Sequence, residues 1–231
     1  MINQYSSNYP AQESASFNNF IAIDSNQAAK STAIQFAHEV TSYNVLGISS
    51  SLGNGATHLA LAILNEIDKM NKTKEIFYSS FERLVMNTPF TNELTIFNNE
   101  FLNSKSLILI DGFYKTSNKT FVNKFYDVLK DVKTKIIFTY SKGVKIPIIT
   151  KEINLTYPSK IEKEIIIKNI LKREKMHLSV EIINYISDQI NLTVREIEGL
   201  IISIFTKEAL ENVNADIELV KNILQRMAKI N

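Results

Sequence analysis

The chain has 231 residues, of which 45% are hydrophobic and 22% are charged, and its formal net charge is +2. This length allows a sizeable buried core, and the small net charge gives no reason to expect a polyanionic partner. Cysteine is absent, which excludes a disulfide framework, a thiolate metal site and a cysteine nucleophile, and suits a cytoplasmic protein. The N-terminus lacks the basic start and apolar stretch of a signal peptide, and no apolar run is long enough to span a membrane, so no membrane partner is expected.

The first two thirds of the chain predict an α/β domain. Residues 1–15 are polar and aperiodic and are expected to form a disordered tail. A base domain over 16–156 is then predicted, with helices near 27–40, 56–69 and 118–131 and strands near 44–49, 74–79, 106–110, 135–140 and 152–155. Strands that alternate with helices are typical of a largely parallel sheet, and the apolar run at 106–110 predicts a strand buried on both faces.

The last third of the chain predicts only helices. After Pro158 the strand patterns disappear, and a helical domain is expected over 157–231, with helices near 159–175, 180–190, 193–210 and 215–229. Residues that can cap these helices precede each of them: Ser159 with Glu162 as a capping box, Ser179, Thr193, and Asn214 or Asp216.

A loop between the first strand and its helix fits the phosphate-binding pattern G-x-x-x-x-G-K-[ST] in part. Over residues 50–57, SSLGNGAT, Gly55 and Thr57 match, whereas Ser50 replaces the first glycine and Ala56 replaces the lysine. A strand, a glycine turn and a helix also occur in α/β proteins that bind no nucleotide, so the pattern alone leaves both interpretations open.

The substituted loop keeps some of the chemistry of a phosphate site and loses the rest. Backbone N–H groups of residues 53–57 and the positive end of the following helix can still surround an anion, and Thr57 can still coordinate Mg²⁺. The ammonium group that would reach the β- and γ-phosphates is missing at Ala56. Phosphoryl transfer depends on positioning and charge neutralisation, so hydrolysis and triphosphate binding should suffer while a diphosphate remains bound.

A second candidate metal ligand follows the apolar run at 106–110. Asp111 would lie at the carboxyl end of a buried strand, where a carboxylate can hold Mg²⁺ through water. The next position, where an ATPase of this type has an acid that orients the attacking water, is Gly112. The alternative is that Asp111 only binds N–H groups at the end of its strand.

Six stretches, in order and at similar spacing, resemble the AAA+ module of the bacterial replication initiator DnaA. They are SFNNFIAIDSNQAA, GISSSLGNGATHLALAI, KEIFYSS, SLILIDG, KIIFTYSKG and LTVREIEGLI. The resemblance implies an AAA+ P-loop domain with a parallel sheet between helices, followed by a small all-helical lid domain. It places Tyr140 and Ser141 near the sensor 1 position and Arg195 in the sensor 2 role. The alternative for Arg195 is a surface arginine paired with Glu196 or Glu198.

The resemblance also implies a set of ligand-binding residues. The nucleotide-binding residues it gives are Gly53, Asn54, Gly55, Ala56, Thr57, His58 and Arg195. Thr57 and Asp111 would hold Mg²⁺. The implied ligands are ADP or ATP with Mg²⁺, ADP being the better match, and a loop that binds no nucleotide is the alternative.

Three departures from the family pattern predict that hydrolysis has been lost. The Walker A lysine is Ala56, the second Walker B acid is Gly112, and residues 146–155, IPIITKEINL, contain no arginine where the family has an arginine finger. No helix-turn-helix DNA-binding domain follows the lid, so sequence-specific DNA binding is not expected. No catalytic residue is therefore assigned.

Within this family, the chain is most similar to Hda-type regulators of replication initiation. These promote ATP hydrolysis on DnaA while bound to the sliding clamp, so the implied partners are DnaA, the sliding clamp through a peptide at Gln4-Tyr5-Ser6, and other AAA+ modules by self-association. Without an arginine finger, the chain would act by occupying a DnaA surface. The alternatives are an active ATPase that takes its cation from Lys115, Lys142 or a partner, and a helicase loader or DNA-binding accessory factor.

Two other features are candidates for binding sites. Residues 105–151 contain ten lysines against three aspartates, which suits either a nucleic-acid surface or ordinary solvated lysines, the latter being favoured because the stretch lacks arginine. The three histidines lie far apart in sequence without carboxylates at ligand spacing, so no zinc site is predicted.

Overall fold

The computed structural model describes residues 15–70, 76–87, 102, 104–105, 107–114 and 119–230. The chain divides into two compact units. The α/β unit contains Met1–Phe20, Asn26–Ser50 and Gly55–Leu155, and the helical unit contains Ile21–Ser25, Ser51–Asn54 and Thr156–Asn231. Each is described by itself below.

The α/β unit is built on a five-stranded parallel sheet with the order β2-β3-β4-β1-β5. The strands are β1 Val45–Ser50, β2 Ile76–Ser80, β3 Leu107–Phe113, β4 Lys135–Ser141 and β5 Lys151–Leu155. The helices with all or most of their residues in this unit are α1 Asp24–Ala37, α2 Ala56–Met70, α3 Phe81–Asn87 and α4 Lys119–Leu129. The predicted parallel sheet between helices is confirmed.

Both faces of the sheet are buried, as the apolar run in β3 predicts. Leu107 and Leu109 pack into a core with residues of α1 and α2, whereas Ile108 and Ile110 pack into a second core with residues of α3 and α4. Successive side chains of a strand point to opposite faces, so a strand covered on both sides is apolar at every position.

The strand order brings three chain segments to one edge of the sheet. β4 lies between β1 and β3, and all three run in the same direction, so their carboxyl ends are neighbours. The end of β1, the end of β4 and Asp111 in β3 therefore meet there. Ligands of open parallel sheets bind at this kind of edge.

The helical unit contains α5 Lys160–Glu174, α6 Val180–Asp188, α7 Val194–Glu211 and α8 Ile217–Ile230. The predicted caps are present. Ser159 with Glu162 and Thr193 with Glu196 form capping boxes, Ser179 accepts from the backbone N–H of Ile182, and Asp216 accepts from that of Leu219. A core of isoleucine, leucine and valine side chains joins the four helices.

Two short segments that the sequence places in the base domain, Ile21–Ser25 and Ser51–Asn54, are grouped with the helical unit. Ile23 packs into its core, and the backbone N–H of Ser25 donates to the Glu162 carboxylate at 2.7 Å. Ala15, which the sequence assigns to the tail, is only 1% exposed, and its carbonyl accepts from the Asn65 side chain at 2.6 Å.

Among the described helices, none has the length and apolar character needed to cross a membrane.

Candidate nucleotide-binding site

Asp111 binds side-chain hydroxyls from three different elements of the α/β unit. Its Oδ1 accepts from Thr57 Oγ1 at 3.0 Å and from Thr139 Oγ1 at 2.5 Å. Burial raises the pKa of Tyr78, and the charge of Asp111 and a hydrogen bond to it raise that pKa further. Among the described residues, the hydrogen-bond partners of Asp111 are thus hydroxyls, and none is one of the N–H groups that a strand-end aspartate would bind. The loop threonine and the strand aspartate, predicted separately, are in direct contact.

Thr57 and Asp111 provide one hydroxyl and one carboxylate for a cation. Over the described ranges, no group of three or more His, Asp or Glu residues could hold a metal ion. Mg²⁺ is commonly bound through one or two carboxylates, with waters and substrate phosphates completing its octahedral shell. The pair fits Mg²⁺ that arrives with a nucleotide, and it does not fit a permanently bound metal.

Thr139, which sequence reasoning missed, is the residue of β4 that reaches Asp111. Its hydroxyl donates to Asp111 and accepts from the backbone N–H of Gly112 at 2.7 Å. Tyr140 is 5% exposed and donates instead to Glu152 at 2.8 Å, while Ser141 is exposed. The available signal was a threonine in an otherwise apolar strand, one position before the predicted sensor residues.

Gly112 occupies the position of the second Walker B acid in a conformation that favours glycine. Its φ is +71°, and the pairing of β3 with β4 is irregular between Ile110 and Phe113. A Cβ at Gly112 would meet no atom within 4 Å, so the obstacle to a side chain is backbone strain, not lack of space. The missing acid is therefore accompanied by a backbone that disfavours one.

The beginning of α2 is packed against the first folded segment. Ala56 is 8% exposed and belongs to the same apolar core as Phe20. His58 Nε2 lies 3.2 Å from the Ser16 carbonyl oxygen, and its ring centroid is 5.7 Å from that of Phe20. Gly55 has φ +93°, and a Cβ there would lie 3.2 Å from the Phe20 ring. His58 thus helps to hold the first folded segment.

Gly53, Asn54 and Arg195 belong to the helical unit. The backbone N–H of Arg195 donates to the Gly53 carbonyl at 3.1 Å, and that of Asn54 donates to the Ser51 carbonyl at 3.3 Å. Gly53 has φ +90°, and a Cβ there would lie 2.8 Å from Thr193 Oγ1 and 3.2 Å from Arg195 Cβ. Only glycine allows this close approach to the start of α7.

The Arg195 guanidinium is exposed and unpaired within the described part of the chain. Both carboxylates proposed as alternative partners bind elsewhere. Glu198 binds Arg173, and Glu196 accepts from the Thr193 backbone N–H at 2.8 Å and hydroxyl at 2.7 Å. The arginine therefore has its charge available for a ligand.

The remaining predicted features are the lysines of residues 105–151 and the peptide at Gln4-Tyr5-Ser6. Some of these lysines have contacts within the chain, and other features lie outside the described ranges. Lys105 is buried, Lys130 pairs with Asp127, and Lys135 Nζ donates to the Phe36 carbonyl at 2.5 Å. Lys105 and Lys135 are thus engaged within the protein, whereas Lys130 and its partner lie on the surface. Gln4-Tyr5-Ser6 and Lys115 lie outside the described residues.

Comparison with known proteins identifies the family. Residues 11–167 match the model of the bacterial DnaA ATPase domain. The chain belongs to this family. The chromosomal replication initiator protein DnaA of Flavobacterium psychrophilum is 29% identical over 235 residues, which cover 93% of this chain and 49% of that protein. The chain spans about half the length of the curated relatives it matches.

Solved DnaA structures share the fold. Domain III of the Thermotoga maritima replication initiation protein DnaA superposes with a TM-score of 0.74 at 20% identity, covering 94% of this chain and 98% of that one. AMPPCP-bound DnaA from Aquifex aeolicus superposes with a TM-score of 0.66 at 25% identity, covering 86% and 68%. The predicted DnaA-type AAA+ fold is confirmed, while the roles of the individual site residues remain predictions.

Proposed function

We propose that this chain is a catalytically inactive, Hda-like regulator of chromosomal replication initiation, which binds nucleotide weakly with a preference for ADP. The observation that carries this is Gly112, whose φ of +71° disfavours any acid beside an Asp111 that keeps its hydroxyl partners. The groups suited to holding a nucleotide are retained, whereas the group that would orient a water is lost. Such selective loss fits a protein that uses nucleotide as a ligand.

The charges available in the site support ADP over ATP. At the Walker A lysine position, Ala56 contributes a methyl group to the apolar core. Arg195 is the sensor 2 candidate, and its guanidinium is unpaired in the described part of the chain. A ligand with fewer phosphate charges needs less neutralisation than a triphosphate. AMPPCP is bound by the Aquifex aeolicus relative, and for this chain ADP, with or without Mg²⁺, is the proposed ligand.

The proposed partners are DnaA and the sliding clamp, with self-association of AAA+ modules as a further mode. The support is membership of the DnaA family and the resemblance to Hda-type regulators. Because residues 146–155 contain no arginine, the chain would occupy a DnaA surface without triggering hydrolysis there. Sequence-specific DNA binding is not part of the proposed function.

Titration with labelled ADP and ATP, with and without Mg²⁺, tests the binding part. We expect ADP to bind more tightly than ATP, and radiolabelled ATP turnover to stay at the background rate in wild type and Asp111→Ala alike. Turnover that Asp111→Ala abolishes would show that the protein is an ATPase. Retention by immobilised DnaA or sliding clamp tests the regulatory part, and failure to bind both would contradict it.

A second candidate function, a working ATPase, is favoured by the position of Lys142. Its backbone N–H donates to the Ser50 carbonyl at 3.3 Å, directly before the phosphate loop, and its side chain is exposed. Its backbone is thus bonded to the strand end that precedes the loop, and its ammonium group is the candidate replacement for the charge missing at Ala56. Turnover lost in Lys142→Ala but kept in Lys145→Ala, a nearby exposed lysine, would support this candidate; turnover unaffected by either would exclude Lys142.

A further inference from the structure

Asn54 is a buried polar side chain without a partner. It is 5% exposed, and neither its Nδ2 nor its Oδ1 has a hydrogen-bond partner in the described part of the chain. Buried amides in native proteins are nearly always hydrogen-bonded, because the loss of water is otherwise uncompensated. An unpaired amide in a candidate phosphate loop therefore calls for a ligand.

The backbone around Asn54 is fixed, so its side chain is not unpaired through looseness of the loop. Its own N–H donates to the Ser51 carbonyl, and the carbonyl of the preceding Gly53 accepts from the Arg195 N–H. Glycines with positive φ, Gly53 at +90° and Gly55 at +93°, flank it on both sides. The main chain that carries the carboxamide is thus hydrogen-bonded, while the carboxamide itself has no partner among the described residues.

We propose that the Asn54 carboxamide is a phosphate ligand whose Nδ2 donates to the terminal phosphate of a bound nucleotide. This inference rests on the proposed function, since it assumes that the loop binds a nucleotide. A primary amide offers two N–H donors and no charge, and a water carried by the phosphate can satisfy Oδ1. It supplies a neutral hydrogen bond in a loop whose lysine position is Ala56.

A neutral donor has consequences that a lysine would not have. It binds a phosphate oxygen without neutralising its charge. The extra negative charge of a triphosphate therefore gains little attraction from this group, and a diphosphate is preferred. Arg195, which belongs to the same unit, is the remaining cationic candidate. Binding through one cation and one amide should also weaken less with added salt than binding through two cations.

The proposal predicts opposite effects of Asn54→Leu on stability and on binding. Leucine has the same branched arrangement of side-chain heavy atoms as asparagine and removes the unpaired amide, so the ligand-free protein should melt at a higher temperature. The same change removes a hydrogen bond to a charged phosphate, so ADP should bind about 10- to 100-fold more weakly. A residue with only a structural role would lose stability on substitution and leave the phosphate contribution intact.

Calorimetric titration of the full chain with ADP, pyrophosphate and adenosine, together with thermal melts, tests the proposal. Asn54→Leu and Asn54→Asp should both weaken ADP and pyrophosphate binding, the aspartate more because it repels phosphate, and neither should change adenosine binding. Asn44→Leu, an exposed control, should bind all three like wild type. Near-UV circular dichroism establishes that each variant is folded, and Asn54→Asp replaces Asn54→Leu if the latter is not.

The outcomes separate this inference from the proposed function. Wild type that binds ADP, with unchanged binding in Asn54→Leu or Asn54→Asp, would overturn the role of Asn54 and leave the proposed function standing. Equal losses for adenosine and ADP would also overturn it, because the contact would then not be to phosphate. Wild type that binds neither ADP nor pyrophosphate would overturn both.

Discussion

Helix α2 and helix α7 begin in opposite ways. The first turn of α7 is closed by its own chain, since Thr193 and Glu196 form a capping box. Helix α2 has no acidic residue in its first turn and follows Gly55, whose carbonyl accepts the first helical hydrogen bond from Leu59 at 2.9 Å. The positive end of α7 is neutralised internally, whereas the first turn of α2 has no carboxylate of its own.

The capping box at the start of α7 also affects whether the neighbouring Arg195 has a carboxylate partner. Glu196 is committed to the cap and Glu198 to Arg173, so neither neutralises Arg195. The backbone N–H of Arg195 lies in the first turn of α7, where it has no partner within the helix. It donates instead to the Gly53 carbonyl. Structural pairing in one helix therefore leaves a positive side chain available for function.

The largest effect is expected from Gly53→Ala, which attacks the contact between the loop and the start of α7. Positive φ is unfavourable for alanine, and the new Cβ would lie 2.8 Å from Thr193 Oγ1. We expect a loss of about 2–5 kcal/mol in the free energy of unfolding by urea denaturation. Gly143→Ala is the matched control, because Gly143 has the same φ of +90° with no atom within 4 Å of the new Cβ.

The difference between these two alanine variants isolates the contact from the backbone strain. Gly143→Ala should cost about 1–2 kcal/mol from strain alone. Equal losses in the two variants would mean that Thr193 and Arg195 do not constrain the loop.

Next in size is Glu162→Gln, which opens the closed end of α5. The carboxylate accepts from the backbone N–H of Ser159 at 2.8 Å and of Ser25 at 2.7 Å. Burial raises the pKa of Glu162, but the hydrogen bonds from Ser159 and Ser25 lower it more, so its net pKa lies below the ordinary value. Glutamine can accept only one of these bonds well, and a loss of about 1.5–3 kcal/mol is expected at pH 7.

The pH dependence of that loss follows from the sign of the shift. A carboxyl with a depressed pKa stabilises the fold fully above its unfolded pKa, about 4.3, and this contribution disappears as pH falls through the folded value. The difference between wild type and Glu162→Gln should be constant from pH 7 to about 5.5 and shrink below about 4.3. Glu164→Gln, on the same helix, should show little of either effect; a difference for Glu162→Gln that persists at low pH would contradict the assignment.

Local patterns made the capping boxes and the sheet predictable, because their signals lie within a few residues. Ser159 and Glu162 are three positions apart, and the run at 106–110 is apolar throughout. The predicted strand ended at residue 110, whereas β3 continues to Phe113. The positive φ of Gly112 is accommodated as an irregularity within the strand, so the strand outlasts the apolar run that predicted it.

The site was less predictable because its decisive contacts join distant parts of the chain. Whether Thr139 or Tyr140 faces Asp111 depends on which side of β4 each occupies, which follows from packing of the whole sheet. The bond between Arg195 and Gly53 has no local signal at all. The resemblance to DnaA supplied expected roles for the motif residues, but it could not reveal that Asn54 is buried without a partner among the described residues.

Replacing Thr57 at the start of α2 or Thr193 at the start of α7 by valine tests the contrast between these helices directly. Thr193→Val removes a helix cap and should cost about 1 kcal/mol of stability while leaving the effect of Mg²⁺ on ADP binding unchanged. Thr57→Val should cost less, because Asp111 keeps its bonds to Thr139 and Tyr78, but should abolish the effect of Mg²⁺. Denaturation gives the stability of each variant, and titration gives the effect of Mg²⁺ on its ADP binding. A Mg²⁺ effect that survives in Thr57→Val would remove that residue from the metal site.

The smallest effect is expected from Arg173→Gln, which releases a carboxylate next to Arg195. Arg173 pairs with Glu174 and Glu198 near the surface, so its loss should cost less than about 1 kcal/mol of stability. Glu198 lies three residues after Arg195 on α7, a spacing at which opposite charges attract by about 0.2–0.5 kcal/mol. ADP affinity should therefore fall by about twofold, and the double change Arg173→Gln with Glu198→Gln should restore it. A twofold loss that the second change does not reverse would mean that Arg173 acts on the nucleotide by another route than the charge of Glu198.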